Sequence, residues 1–256
     1  MASRNFCILT GTSRGLGEAI ASKLIETETI LFCVSRNRNE KLISKAELRG
    51  LPLHYFEFDL GKTETIESLI YQIMEIISRL QVNSISLINN AGVLGPVMPI
   101  DKASAEEIEW GMKVNSIAPM ILASQFIKQS EKFNCKRTVM NITSGAAQKP
   151  YYGWGVYCSS KASLDMFTKV VALEQQKRAN PVKIFSVAPG VVETAMQEQI
   201  RNTDAKDFAT VERFKKLKEN GQLLDPFFVA EMLVVFLNRE DVESGGIYDI
   251  REFLTS

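Results

Sequence analysis

The sequence predicts a single-domain α/β fold, a doubly wound parallel sheet with helices on both faces. Short apolar runs of strand length alternate with helical periodicity, and no linker, repeat or low-complexity segment divides the 256 residues. Strands buried on both faces read as continuous apolar runs, and strands alternating with helices form parallel sheets. Ligands of such folds bind beyond the carboxyl ends of the strands. The predicted strands are 5–10, 29–35, 53–59, 84–92, 137–144 and 181–190.

Helical periodicity connects these strands within one domain spanning residues 1–256. The segment 65–77 shows it most clearly, because its apolar residues at 66, 69, 70, 73, 74 and 77 share one helix face. The other predicted helices are 16–26, a polar helix ending at 48, 114–129 and 156–178.

Composition excludes several classes of function. Lys+Arg and Asp+Glu both number 30, so the zero net charge offers no basic surface to nucleic acid or an anionic membrane. Apolar runs such as 233–237 are too short to span a bilayer, and residues 1–11 lack a signal-peptide pattern. The four cysteines show no metal-ligand spacing, so we expect reduced thiols, no metal site and a cytoplasmic protein. The single histidine, His54, lies in a predicted strand, where packing is the favoured interpretation.

A glycine-rich loop, "TGTSRGLG" at 10–17, separates the first strand from the first helix. Glycines permit a tight turn and close backbone approach, and free N–H groups at a helix N-terminus attract an anion. The position between strand and helix favours a dinucleotide-phosphate site over an ordinary turn.

Two arginines favour NADP(H) over NAD(H) at this site. An acidic residue about 20 positions after the loop would bind a ribose hydroxyl, but the second strand ends with Ser35 and Arg36. Arg14 lies within the loop itself, and two guanidiniums suit a phosphate dianion.

The stretch "YYGWGVYCSSK" at 151–161 contains a candidate proton donor. Tyr157 and Lys161 are four apart on a predicted helix and share a face, so the ammonium is expected to lower the pKa of the phenol. A tyrosine tuned in this way acts as a general acid without histidine. Ser144 ends the preceding strand and is positioned to hold a carbonyl oxygen. Taken alone, the Tyr–Lys spacing favours an ordinary helix-surface pair, because such pairs arise often by chance.

Taken together, these motifs resemble the short-chain dehydrogenase/reductase family over essentially the whole chain. They are "TGTSRGLG", "NNAG" at 89–92, Asn115 in "VNS", Ser144 in "NITSG", "YCSSK" at 157–161 and "PG" at 189–190. The resemblance implies a Rossmann-type fold in which Tyr157 is the acid/base and Lys161 lowers its pKa and holds the nicotinamide ribose. It also implies that Ser144 orients the substrate carbonyl and that Asn115 supports a proton relay through Lys161.

The resemblance further implies the contacts of the cofactor. Asp59 is placed by the adenine, and Pro189 and Thr194 are placed against the nicotinamide. The complete set of implied cofactor-binding residues is Gly11, Ser13, Arg14, Gly15, Leu16, Gly17, Arg36, Asp59, Leu60, Asn89, Ala91, Gly92, Tyr157, Lys161, Pro189, Gly190, Val192 and Thr194.

Within the family the chain is most similar to sepiapterin reductases and to bacterial relatives that reduce benzil-type diketones. The supporting stretches are "GTSRGLG", "APGVVETAMQ" at 188–197 and "SGGIYDI" at 244–250. The resemblance implies that Asp249 anchors a pterin substrate; a solvated acid after the last strand is the equally weighted alternative.

Residues 191–224 are predicted to form a substrate lid. Phe208, Val211, Phe214 and Leu217 recur every three residues, which fits a helix packed over the site. Ser144, Tyr152, Trp154, Met196 and Asp249 are the candidate substrate-contact residues, with plain packing an open alternative for the aromatic ones.

These inferences predict an NADPH-dependent carbonyl reductase acting on an α-dicarbonyl, either a pterin side-chain ketone or an aromatic diketone. The alternatives are an NAD(P)-dependent secondary alcohol dehydrogenase and a non-catalytic dinucleotide sensor. The helices at 114–129 and 156–173 carry more apolar residues than one sheet-facing stripe needs. With the resemblance, this predicts a homodimer, or a tetramer built on it.

Overall fold

A central sheet of seven parallel strands, ordered β3-β2-β1-β4-β5-β6-β7, organises the computed structural model, which describes residues 4–253. All six strand residues of β2 are buried, as are the last five of β1, because helices cover both faces. The strands are β1 (Arg4–Thr10), β2 (Ile30–Ser35), β3 (Leu53–Glu57), β4 (Val82–Asn89), β5 (Lys136–Ile142), β6 (Lys183–Ala188) and β7 (Ile247–Asp249).

Helices pack on both faces of this sheet. On one face, α1, α2 and α9 form a core with side chains such as Ile20 and Leu233. On the other, α3, α5 and α6 form a second core with side chains such as Ile73, Leu122 and Val171. The helices are α1 (Gly15–Glu26), α2 (Glu40–Leu48), α3 (Ile66–Ile77), α4 (Ala105–Met112), α5 (Ala118–Ser130), α6 (Gly155–Gln175), α7 (Ala195–Arg201), α8 (Val211–Glu219) and α9 (Pro226–Asn238). The predicted doubly wound fold is confirmed.

The strand order reverses direction between β1 and β4, which pair directly in the middle of the sheet. The loops after these two strands diverge to opposite sides and leave a crevice at their carboxyl ends. The glycine-rich loop and the "NNAG" segment face each other there.

The helix predicted over 114–129 differs from the observed structure. A five-residue π-helical turn, Lys113–Ile117, joins α4 to α5, so α5 begins only at Ala118. A π turn shifts the backbone pairing to i→i+5, which apolar periodicity does not reveal. The α4 helix starts with a capping box in which Ser104 and Glu107 satisfy each other's backbone N–H groups.

Residues 193–223 form an excursion from the sheet that carries α7 and α8. Its ends are joined by backbone hydrogen bonds, Leu224 N to Val191 O at 2.9 Å and Glu193 N to Leu224 O at 2.9 Å. The predicted lid therefore corresponds to a segment closed at its base. Its helix α8 begins at Val211, and Phe208 lies in the turn before it.

Within residues 4–253, no helix has the length and apolar character required to cross a membrane. His54 lies in β3, stacked on Phe32 with ring centroids 4.7 Å apart, which agrees with the packing role predicted for it.

Candidate active site

A cavity of about 1150 Å³ lies at the carboxyl ends of the strands. Its walls come from the loops after β1, β2, β4, β5 and β6, and the 193–223 excursion with the C-terminal segment closes one end. The cavity lies at the switch point between β1 and β4, where the fold class places ligands.

The glycine-rich loop has the geometry of a phosphate cradle. Gly11 and Gly15 adopt positive φ angles of 76° and 62°, which L side chains rarely adopt. Helix α1 begins at Gly15, and the side chain of Arg14 at its N-cap does not bond to the first-turn N–H groups. These donors, with the positive end of the helix dipole, remain available for an anion.

Asn90 fixes this loop to the neighbouring strand. Its side-chain amide donates to Thr10 O at 2.9 Å, and its backbone N–H donates to Thr10 Oγ1 at 3.0 Å. A side chain at Gly17 would collide with the Gly11 carbonyl and the Asn90 amide, so the glycine permits this close packing. The sequence analysis missed Asn90, although an amide directly after a central strand is a detectable signal.

Near the end of β2 the cavity wall carries arginine side chains, and the residue that ends this strand is not acidic. Arg14 and Arg36 are exposed at the cavity wall, and within residues 4–253 neither guanidinium forms an ion pair. Ser35 is occupied internally, since its hydroxyl contacts Tyr55 Oη at 2.6 Å and Asn37 O at 2.8 Å. The position at which an acid would bind a ribose hydroxyl is thus held by an internal hydrogen-bond network.

Tyr157 and Ser144 meet at the centre of the cavity. Tyr157 is 8% exposed and lies on α6, and Ser144 follows β5 and accepts a bond from Ala146 N at 3.1 Å. Burial raises the pKa of Tyr157, and hydrogen bonding to Ser144 lowers it in part. Burial dominates this shift, and the predicted lowering of the pKa of Tyr157 by Lys161 stays a prediction.

Lys161 lies one helical turn beyond Tyr157 and is 5% exposed. Its ammonium is 6.0 Å from the centre of the Tyr157 ring and donates to Ile142 O at 2.9 Å. Burial lowers the pKa of Lys161 to about 8, and the charge of Asp165 opposes that effect. The shared helix face predicted from the spacing is present.

Asn115 occupies the π turn behind the cavity wall. Its amide exchanges two bonds of 2.8 Å with the backbone of Val93 and donates to Ser160 Oγ at 3.2 Å. A Cβ placed on Gly92 would be 3.4 Å from Asn115 Oδ1 and 3.7 Å from Lys161 Nζ. Asn115 therefore holds the loop after β4 against Lys161 without lining the cavity itself.

An aromatic wall lies at one end of the cavity, beside Tyr157. The Trp154 ring stacks on Phe208 with centroids 4.6 Å apart and contacts Tyr157 edge-on at 5.3 Å. Phe214 of α8 packs at 5.6 Å from Trp154, and Arg213 donates to Tyr151 Oη at 3.2 Å. The 193–223 excursion is thus packed directly beside the candidate proton donor.

Asp249 lies at the end of β7 and lines the cavity, but its carboxylate is already paired. Arg251 donates to Asp249 Oδ1 from Nε at 2.8 Å and from its backbone N–H at 3.0 Å. This bonding lowers the pKa of Asp249. The Arg251 side chain crosses Gly190, where a Cβ would be 3.4 Å from Arg251 Cδ.

Most predicted site residues line one cavity, and three do not. Asn89 is buried, bonding to Asn141 Oδ1 at 2.8 Å, Tyr152 is 55% exposed, and Asn115 stands behind the wall. Trp110, which sequence reasoning missed, lines the cavity beside Asp59. The predicted residues that line it are Gly11, Ser13, Arg14, Gly15, Leu16, Gly17, Arg36, Asp59, Leu60, Ala91, Gly92, Ser144, Trp154, Tyr157, Lys161, Pro189, Gly190, Val192, Thr194, Met196 and Asp249.

Comparisons with known proteins agree with this geometry. Residues 5–205 match the family model of the short chain dehydrogenases. The benzil reductase ((S)-benzoin forming) of Bacillus cereus is 42% identical over 96% of this chain and 99% of its own length. The sepiapterin reductase of Rattus norvegicus is 31% identical over 95% of this chain and 96% of its own. Among solved structures, the KRED1-Pglu enzyme aligns with a TM-score of 0.81 at 30% identity, covering 95% of this chain and 99% of that one.

Proposed function

Since this chain belongs to the short-chain dehydrogenase/reductase family, we propose that it is an NADPH-dependent carbonyl reductase acting on an α-dicarbonyl. The observation that carries the proposal is the buried Tyr157 beside Ser144, in a cavity with a phosphate cradle at one end and an aromatic wall at the other. The 42% identity to a benzil reductase supports the diketone substrate.

The residues present fit a nicotinamide dinucleotide. Gly11 and Gly15 supply the positive φ angles of the cradle, Gly17 permits its close packing on the Gly11 carbonyl, and the α1 N-terminus presents free donors. Arg14 and Arg36 hold a 2′-phosphate, since they are unpaired in the described chain and no carboxylate competes at Ser35. When bound, a reduced nicotinamide supplies the hydride.

Tyr157 donates the proton to the carbonyl oxygen. Reduction needs a phenol that carries its proton, and burial raises the pKa of Tyr157, which keeps the donor protonated at neutral pH. Ser144 orients the carbonyl by donating its hydroxyl proton toward the oxygen. In the reverse reaction, oxidation of an alcohol, the same residue would act as the phenolate base.

The aromatic wall favours a flat, conjugated substrate. Trp154, Phe208 and Phe214 form a packed cluster against Tyr157, and stacked rings reward planar ligands. Asp249 is neutralised by Arg251, so its carboxylate is less available to the amino group of a pterin. These two features favour an aromatic diketone of the benzil class over a pterin ketone.

We further propose that the enzyme is a homodimer formed through α5 and α6. The outer face of α6 exposes Met166 at 59%, Val170 at 44% and Leu173 at 61%, spaced as one helical stripe. Such a stripe beside α5 suits an isologous contact. The free thiols of Cys7, Cys33, Cys135 and Cys158 suit a cytoplasmic location.

A turnover screen tests the activity. With NADPH we expect rapid reduction of benzil, slower reduction of sepiapterin and little reduction of simple ketones, and at least about tenfold higher kcat/KM with NADPH than with NADH. Arg36→Ala is expected to reduce that cofactor preference while leaving the order of substrates unchanged. Cofactor binding without turnover across the whole panel would establish the non-catalytic sensor instead.

A further inference from the structure

Asp165 is a buried acid that the mechanism above does not use. It lies on α6 one turn beyond Lys161 and two turns beyond Tyr157, so the three side chains share one helix face. Asp165 is 3% exposed and lines the same cavity as the other two.

The contacts of Asp165 do not satisfy its charge. Gln148 Nε2 donates to Asp165 Oδ2 at 3.2 Å, and within residues 4–253 no hydrogen bond of normal geometry reaches the buried Oδ1. Burial raises the pKa of Asp165, and the hydroxyl of Thr143, the amide of Gln148 and the charges of Lys161 and Lys169 offset that in part. A buried carboxylate with one well-formed hydrogen bond costs folding free energy, so stability does not account for its position.

The Asp165 carboxylate favours the charged form of Lys161. Its ammonium is almost completely buried and has a single hydrogen bond, to Ile142 O. Desolvation favours the neutral amine, and within the described chain Asp165 is the one charge that acts on Lys161 in the opposite direction.

Other titratable groups line the same cavity from several elements. On α6 itself these are Tyr157 and Lys169. From the loop after β5 and from the C-terminal segment, the cavity receives Lys149, Asp249, Arg251 and Glu252. Asp249 pairs with Arg251, and among the acids of the described chain Asp165 is the one whose charge acts on Lys161.

We propose that Asp165 is a positioning residue for the reduction, which keeps Lys161 charged by supplying a negative charge behind it. Asp165 acts on the reaction only through Lys161, and the inference rests on the proposed reductase activity. Burying the Asp165 carboxylate costs folding free energy, and this cost follows from placing a negative charge close to Lys161.

The test is the pH profile of kcat/KM for benzil in Asp165→Asn, which keeps the shape and the bond from Gln148. The pKa of Lys161 is about 8. Loss of the neighbouring negative charge is expected to move the basic limb of the kcat/KM profile to lower pH by about one pH unit. The variant is then about fivefold slower than wild type at pH 8 and nearly equal at pH 6. Asp165→Glu keeps the charge and restores the basic limb toward wild type. Glu47→Gln removes an exposed charge from α2 and leaves the profile unchanged.

Thermal unfolding gives a readout that does not depend on activity. A raised folded-state pKa means that wild type loses stability as pH rises through it, so Asp165→Asn is expected to melt at an equal or higher temperature at pH 8. Superimposable pH profiles of kcat/KM for Asp165→Asn and wild type would overturn the inference. If the wild-type enzyme reduces no carbonyl, the proposed function is refuted instead. The melting temperatures of Asp165→Asn and wild type then still report whether Asp165 carries a charge in the folded protein.

Discussion

Tyr157 and Lys161 share a face of α6, and burial moves their pKa values in opposite directions. The pKa of the phenol rises and that of the ammonium falls to about 8, because desolvation favours the neutral form of each group. The spacing of the two residues was visible in the sequence, but the direction of the shift was not. That direction depends on the packing of Trp154 and Leu94 around the phenol.

Replacing Tyr157 by Phe removes the proton donor and little else. We expect kcat for benzil reduction to fall by about 10²–10⁴ while the Kd for NADPH changes less than about twofold, because the ring packing stays. Steady-state kinetics and fluorescence titration of NADPH measure the two effects.

Tyr71→Phe, on the exposed side of α3, is the matched control and keeps wild-type kinetics. A Tyr157→Phe enzyme that retains more than about a tenth of the wild-type kcat would assign proton donation to another group.

At the residue scale, sequence motifs predicted groups that line the cavity but not the bonds between them. The pairing of Asp249 with Arg251 and the bond from Asn90 to Thr10 depend on strands or segments that meet only in the fold. The catalytic roles of Asn115, Ser144, Tyr157 and Lys161 stay predictions that the kinetic experiments test.

Among the elements, strands were the easiest to predict, because buried parallel strands are continuous apolar runs. Helix boundaries were harder. The π turn at Lys113–Ile117 leaves the apolar pattern nearly intact, and the α9 helix was missed although Asp225 caps it and Pro226 starts it.

The α8 helix offers a test of the aromatic wall. Phe214→Ala removes a ring that packs on Trp154 and Phe208, and we expect KM for benzil to rise about tenfold, from a loss of about 1–2 kcal/mol of ring packing. The Kd for NADPH should stay the same, because the cradle lies at the opposite end of the cavity. Both quantities come from steady-state and binding titrations.

Lys215→Ala on the solvent side of the same helix is the control, since that side chain is exposed and pairs with Glu212 at 2.6 Å. Equal KM values for the Phe214 variant and wild type would show that α8 does not contact the substrate.

For the whole molecule, the sequence predicted the layered architecture, the cavity position and the family, all of which are confirmed. The oligomeric state could not be predicted in the same way. An exposed apolar stripe on α6 indicates a contact surface, but it does not identify the molecule that binds there.

A charge within this stripe tests the dimer. Leu173→Glu, at a 61% exposed position, is expected to convert a dimer into a monomer in sedimentation experiments, because a carboxylate buried at a two-fold contact meets its own copy. Leu48→Glu, 89% exposed at the end of α2, leaves the assembly unchanged. A wild-type protein that sediments as a monomer, or a Leu173→Glu dimer, contradicts the proposed interface.

The backbone bonds that join Val191 and Glu193 to Leu224 have a consequence for the evolution of specificity. A segment whose two ends are already held together can change in length or be exchanged between relatives at little entropic cost to the sheet. Transplanting residues 193–223 from another reductase should therefore alter which ketones are accepted while the hydride and proton machinery stays in place. A transplant that leaves the accepted ketones unchanged would show that residues 193–223 do not select the substrate.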